Sequence, residues 1–417
     1  MSFTIEIILS LKIHGCRENG NNSHCWQRLH RYRCFYAHQP GRHQRVHKIK
    51  RWIGSVVCAS FLLPTQVYAE GSELTEPKLT LKGHTSDLWS AVYSPDGKVI
   101  LTGSSDKTAR IWDAASGTEI ATLSGHTEGV RNAAFSLDGS RIVTVSRDGT
   151  GRIWDAATGR EIAVLSGHES MVEALAFSPS GKHVTTGSID MTARVWDIAT
   201  GQQVFKLSGH EGSVTDIAYS RDGNRIVTGS QDRTAKIWDA MTGAEIATLS
   251  THGGMVASVA FSPDDAKVVT GSSDKSARIW DASSGTLLTE LKGHQRGILR
   301  VMFDAKGERI YTASSDKTAR LWDIKSAATL ATFSGHRRYV MRMSLSPDGS
   351  QLVTSSHDKT ARIWDANSGA LLYTLGGHLM EVEDAEFSPD GSHVVTASYD
   401  GHARVWDLAA VAGQASK

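Results

Sequence analysis

The sequence predicts an all-β fold in which eight copies of one four-stranded antiparallel sheet close into a ring. Three observations carry that expectation: a repeat that never slips, strand and turn signals that fill each repeat, and no stretch inside it long enough for a helix. The repeat is written by Trp-Asp pairs at Trp112, Trp154, Trp196, Trp238, Trp280, Trp322, Trp364 and Trp406, each 42 residues after the last. A histidine keeps the same beat 28 residues ahead of each tryptophan, at His84, His126, His168, His210, His252, His294, His336 and His378. An aspartate stands six residues before each tryptophan, at Asp106, Asp148, Asp190, Asp232, Asp274, Asp316, Asp358 and Asp400. Self-similarity at a fixed period decides architecture before local propensity does. The eight units occupy residues 77–408.

Within unit one, DLWSAVYS (87–94) is rich in β-branched and aromatic residues and reads as a strand. Asp96 and Gly97 follow with turn chemistry, since both tolerate positive φ. KVILTGS (98–104) returns as the second strand of a hairpin, TARIWD (108–113) is a third, ASGT (115–118) turns, and EIATL (119–123) is a fourth. Four strands of about five residues with tight turns use nearly the whole unit. One such sheet cannot bury both faces by itself, so the units must stack face to face, and stacking around an axis closes a β-propeller.

The GH…SPDG…TGSSDKTARIWD pattern resembles the WD40 repeat, as found in G-protein β subunits, and the likeness covers about residues 77–408. The resemblance implies a single propeller of eight four-stranded blades, with each repeat offset from a blade. PKLTLKG (77–83) would then clasp the strands of the last unit and join the chain ends. A seven-bladed ring with one spare unit is the alternative. The resemblance also implies that each unit buries a hydrogen-bonded chain of His, hydroxyl, Asp and Trp. The hydroxyls are Thr102, Thr144, Thr186, Thr228, Thr270, Thr312, Thr354 and Thr396, with Ser104 a competing choice for Thr102 because it points to the same side of its strand. A His, an Asp and a hydroxyl invite a catalytic-triad reading, but a triad is needed once and this set recurs in every unit. Its expected role is blade stability, since a fully paired buried network rigidifies and sets register. Unit five has THGG (251–254) where the others keep Gly-His, so its loop is expected to be looser.

Comparing units with one another shows where the repeat breaks. The third residue after each histidine, the fifth, and the residue before each aspartate vary most, and the resemblance places all three on one rim of the ring. From these columns come the candidate partner-binding residues Trp89, Arg131, Arg147, Met171, Glu173, Tyr339, Met341, His357, Glu381, Glu383 and Tyr399. Aromatic, Met and Arg side chains standing out of a uniform frame are interface hot-spot types. Charge is uneven as well: Arg296, Arg300, Arg337, Arg338 and Arg342 in units six and seven precede Glu381, Glu383, Asp384 and Glu386 in unit eight. Two readings stay open, mutual neutralisation of neighbouring blades or a dipolar patch that orients a charged peptide.

Before the repeats, KIKRWIGSVVCASFLLPTQVYAEG (48–71) has a basic start, an uncharged core from Trp52 to Leu63, and small residues Val67 and Ala69 ahead of a cut after Ala69. It reads as a signal peptide over 46–69, with a core shorter than the about 20 residues a membrane span needs. Val57 precedes Cys58, where a lipoprotein signal wants a small residue, so no stable membrane anchor is expected. Residues 1–45 are read as unstructured, or as lying upstream of a true start at Val46. Residues 70–76 are read as a short linker and 409–417 as a flexible tail. The expected location is periplasmic or secreted, or cytoplasmic if the first residue is the genuine start. Cys16, Cys25 and Cys34 make no closely spaced ligand pair, so no zinc or other metal is expected.

Residues 1–51 hold ten Lys/Arg against two acids and 52–69 are uncharged, so the whole-chain net of +1 leaves −7 on residues 70–417. A mildly acidic ring does not match the basic surface of a nucleic-acid binder. All four cysteines precede residue 70, which leaves the repeats without disulfides. The function expected is a non-catalytic scaffold, a monomeric propeller needing no cofactor that holds a protein or peptide on its rim. The alternative is an eight-bladed propeller enzyme, a quinone-dependent dehydrogenase or a hydrolase, for which Glu173, Asp216, Glu383 and Asp384 are the candidate carboxylates.

Overall fold

A computed structural model describes residues 71–408. In the first blade the innermost strand Leu88–Tyr93 is followed outward by Val99–Ser104, Thr108–Asp113 and Glu119–Ser124, all antiparallel. Seven further sheets repeat this order. The turn between the first two strands shows why Asp and Gly recur there. Gly97 takes φ +71° and donates its N–H to the Ser94 carbonyl, while Asp96 Oδ1 accepts from Ser94 Oγ at 2.7 Å and Lys98 N at 3.1 Å. Unit five has Asp265 in place of this glycine, at φ 58°. Its carboxylate is held by Arg221 N at 2.6 Å and Asp222 N at 2.9 Å from the preceding blade.

Apolar clusters fill the eight junctions between blades. The junction that closes the circle packs Val395, Ala397, Ala403 and Val405 of the last blade against Leu88, Ala91, Ile100 and Trp112 of the first. Eight units thus make eight blades, and the seven-bladed alternative is set aside. The last blade, Val382–Phe387, His393–Ser398 and Ala403–Asp407, takes its outermost strand from Leu79–Leu81, paired antiparallel through Leu79 to Val405 and Leu81 to Ala403.

Residues 70–76 depart from the short linker expected of them. Ser72–Leu74 is a strand, laid parallel along the outer strand Leu371–Leu375 of blade seven, so that blade has five strands. Leu74 packs beside Leu372 and Tyr373. A three-residue parallel strand carries no turn or alternation signal of its own, which is why the sequence pattern passes over it. The chain therefore grips blade seven and then blade eight before the first full blade begins. The signal-like run, residues 1–45 and the tail from 409 lie outside the described residues. Among the described residues, no helix is long and apolar enough to cross a membrane.

Candidate functional site

All eight units join the same four side chains. In unit one, Trp112 Nε1 donates to Thr102 Oγ1 at 2.9 Å, His84 Nε2 lies 2.8 Å from that oxygen, and His84 Nδ1 lies 2.7 Å from Asp106 Oδ2. The other seven chains, from His126–Thr144–Asp148–Trp154 to His378–Thr396–Asp400–Trp406, hold these links within 2.7–3.0 Å. An ionised carboxylate can only accept, so Nδ1 carries a proton, and with a neutral ring Nε2 accepts from the Thr hydroxyl, which itself accepts from Trp. Ser104 serves elsewhere: its Oγ donates to the Ser86 carbonyl and accepts from Asp106 N. In unit five, His252 keeps both bonds and Gly253 N donates to Asp274 at 2.9 Å, so that loop is tied like the others.

Burial depresses the pKa of His126, His168, His210, His252, His336 and His378, favouring the neutral ring the relay requires. Burial alone would raise the eight aspartates. Hydrogen bonds from the histidine, from the following hydroxyl in units one to seven, and from a loop N–H override it and hold them below the usual carboxylate range, Asp190 at about 2.

The irregular side chains behave differently. Each innermost strand carries a register shift just after its first residue, so the fifth residue after the histidine sits on a β-bulge. Bulges re-aim side chains, and here they turn Trp89, Arg131 and Glu383 toward one another across three blades. The Arg131 guanidinium stacks 4.2 Å from the Trp89 ring centre and Arg147 lies 5.0 Å from it. Tyr399 meets the Trp89 ring edge-on at 5.0 Å, His357 lies 5.9 Å beyond Tyr399, and Tyr339 lies 6.0 Å beyond His357. Trp89 Nε1 donates to Ser105 Oγ at 2.6 Å.

Glu383 is the hub of this cluster, and here the expectation needs correcting. The repeat pattern puts it on the contact surface, yet it is only 3 % exposed. Its carboxylate accepts from Tyr399 Oη at 2.9 Å, stands 3.3 Å from His357 Nε2, and lies 3.9 Å from Arg131 Nη1. Burial by itself would raise its pKa. The His357 hydrogen bond, Arg131 and Arg342 hold it below the ordinary Glu range, while burial and that carboxylate raise the Tyr399 phenol. Arg131 Nη1 is buried without a hydrogen-bond partner. Glu173 is close enough for its charge to act on Arg131. Met171, 41 % exposed, and the half-buried Met341 lie outside this chain of contacts among the described residues.

The charges resolve into pairs. Arg338 Nη1 reaches Glu381 at 3.2 Å across the junction of blades seven and eight. Arg300 and Arg342, expected on the rim, instead line the central channel, Arg300 one residue past its bulge and Arg342 within the wider one of blade seven. There Arg300 bonds Asp216 at 3.2 Å and Arg342 lies 3.9 Å from Asp384. One layer deeper, burial and the nearby Asp384 push the Glu386 carboxyl up to about 8. The sequence reading also missed a groove of about 410 Å³ lined by Arg337, Lys359 and Met380 beside His357. Its signal lay in the first two residues after each histidine, columns not among the three singled out.

A closed ring of eight blades, each pinned by a buried His–Thr–Asp–Trp chain, defines a β-propeller of repeated units. The family model "WD domain, G-beta repeat" matches residues 75–113, 117–155, 159–197, 201–239, 243–281, 285–323, 327–365 and 369–407, and the chain belongs to that family. Its members are commonly protein-interaction scaffolds and mostly not enzymes. Among solved structures, the computationally designed Ika8 protein is similar, with TM-score 0.72 and 31 % identity over 80 % of this chain and 100 % of that one. Among curated proteins, Vegetative incompatibility protein HET-E-1 of Podospora anserina is 48 % identical over 52 residues, 12 % of this chain. Protein Mut11 of Chlamydomonas reinhardtii is 43 % identical over 42 residues, 10 % of this chain. The matches span only 4 % and 11 % of those relatives' lengths.

Proposed function

We propose that the protein is a non-catalytic interaction platform that holds a protein or peptide partner on the loop face of the ring, over blades seven, eight, one and two. The observation that carries this reading is contiguity. Tyr339, His357, Tyr399, Trp89 and Arg131 follow one another in unbroken ring contacts, whereas the bulge positions of blades four to six hold Thr215, Ala257 and Leu299. Aromatic and Arg side chains already locked by neighbours lose little entropy on binding, which favours affinity. Three of the four carboxylates open to a catalytic reading are committed elsewhere: Glu383 to Tyr399 and His357, Asp216 to Arg300, and Asp384 beside Arg342.

We also place this platform outside the cytoplasm, supported by the signal-like run at 48–71. Capture of partners from a periplasmic extract tests both statements. Tyr339→Ala and Trp89→Ala, with folding verified, should each abolish capture. Unchanged capture by both would remove this face from consideration.

A further inference from the structure

The groove between blades seven and eight differs from the same place on every other blade. The two residues after each histidine read Thr-Ser, Thr-Glu, Glu-Ser, Glu-Gly, Gly-Gly and Gln-Arg in units one to six, then Arg337-Arg338 and Leu379-Met380. Only here does a doubly basic loop face a doubly apolar one. Both loops are exposed, with Leu379 at 73 % and Met380 at 45 %.

The acids in this groove are already engaged. Asp358 accepts from His336 Nδ1, Arg337 N, Thr360 N and Thr360 Oγ1 beneath the surface, and Glu381 is paired with Arg338. Arg337 and Lys359 therefore present uncompensated charge. Lys359 is also held in place, because its Nζ donates to the Leu379 carbonyl at 2.8 Å. A fixed ammonium beside an exposed Leu-Met pair, on a propeller of net charge −7 over residues 70–417, is a local inversion of the molecule's field. Such an inversion steers opposite charge to one spot.

We propose that this groove binds an extended acidic peptide segment, its carboxylates on Arg337 and Lys359 and an apolar side chain against Leu379 and Met380. The inference rests on the platform reading and names the partner chemistry for one part of it. A nucleic acid is the less suited occupant, since its affinity grows with the number of phosphates neutralised and two cations make a short track.

The test selects random displayed dodecapeptides on the full-length protein and measures the winners by fluorescence anisotropy. Enriched peptides should carry acidic residues flanking an apolar one. Their affinity should fall about tenfold or more in Arg337→Glu/Lys359→Glu and with added salt. The matched reversal Arg296→Glu/Lys317→Glu, the same charge change on blade six, should leave affinity within about twofold. Leu379→Ser/Met380→Ser, at exposed positions, should weaken binding without shifting the melting temperature. Selection of peptides with no acidic excess, failure to enrich any, acidic peptides indifferent to the blade-seven reversal, or displacement by a single-stranded oligonucleotide would each overturn the proposal. Peptides indifferent to that reversal but lost in Tyr339→Ala would overturn the groove alone and leave the platform reading standing.

Discussion

The buried relay in each blade and the cluster at the mouth of blades seven, eight, one and two use nearly the same chemistry. Each joins an aromatic ring, a histidine, a hydroxyl and a carboxylate. The relay closes its account with every donor and acceptor met, and it is repeated eight times. The mouth cluster occurs once and leaves the buried Arg131 Nη1 without a hydrogen bond. Saturated networks stiffen a fold, whereas an incomplete one at a surface keeps capacity for something outside the protein. Four predictions test this contrast and the frame around it, the largest expected effect first.

Acid should distinguish them most strongly. Six relay histidines have folded pKa values depressed by burial. Below pH about 6.5 the unfolded chain takes up protons that these buried rings refuse. Stability then falls with pH from about 6.5 downward, each histidine contributing up to about 1.4 kcal/mol per pH unit until its folded pKa is reached. The aspartates act lower. Their folded pKa values are depressed, so their contribution is complete above the unfolded value of about 3.9 and is lost as pH falls from there toward the folded values. Urea midpoints should therefore drop between pH 7 and pH 5 and drop further below 4. A midpoint that is flat from 7 to 5 would mean the rings are charged in the fold.

Next comes Trp364→Ala. Trp364 is 1 % exposed and packs in the junction with Leu352 and Phe333, so its removal should cost about 3–5 kcal/mol in chemical denaturation. Trp89→Ala, at a half-buried position, should cost well under half of that. Equal costs would erase the distinction between frame and mouth.

The two N-terminal strands offer a third contrast. Leu81 is fully buried in the closing junction, and Leu81→Ala should cost about 2–3 kcal/mol. Leu74→Ala, on the half-exposed edge of blade seven, should cost about 1 kcal/mol or less. A larger loss for Leu74→Ala would make the blade-seven strand the principal closure.

Most of the frame was legible because it repeats. Eight copies of one register averaged away local ambiguity, but strand alternation left Ser104 open beside Thr102, and the contacts to His84 and Trp112 are what decide for the threonine. What stayed hidden occurs once. Ser72–Leu74 is too short to carry a period. Glu383 looked like a rim residue, because nothing in one strand's pattern tells that Tyr399 and His357 will cover it. Arg300 sits one residue beyond a bulge and Arg342 within one, and a one-residue slip moves a side chain from the rim to the channel. Leu379 and Met380 are ordinary letters until placed opposite Arg337.

The last contrast is the most pointed one. Thr144→Val in a relay deletes the hydroxyl that accepts from Trp154 Nε1 at 2.9 Å and bonds His126 Nε2 at 2.8 Å, leaving two buried groups unmet. Its cost should be about 2–4 kcal/mol. Tyr399→Phe in the mouth deletes one bond to Glu383, whose carboxylate keeps His357 and the Arg131 charge. The ring still packs on Trp89, so the cost should be about 1 kcal/mol or less. Partner capture should nonetheless weaken, because Glu383 then loses the shorter of its two side-chain hydrogen bonds and the cluster its fixed geometry. If Tyr399→Phe instead matches Thr144→Val in stability lost and leaves capture intact, the mouth cluster is a ninth piece of the frame, and the platform must lie elsewhere on the ring.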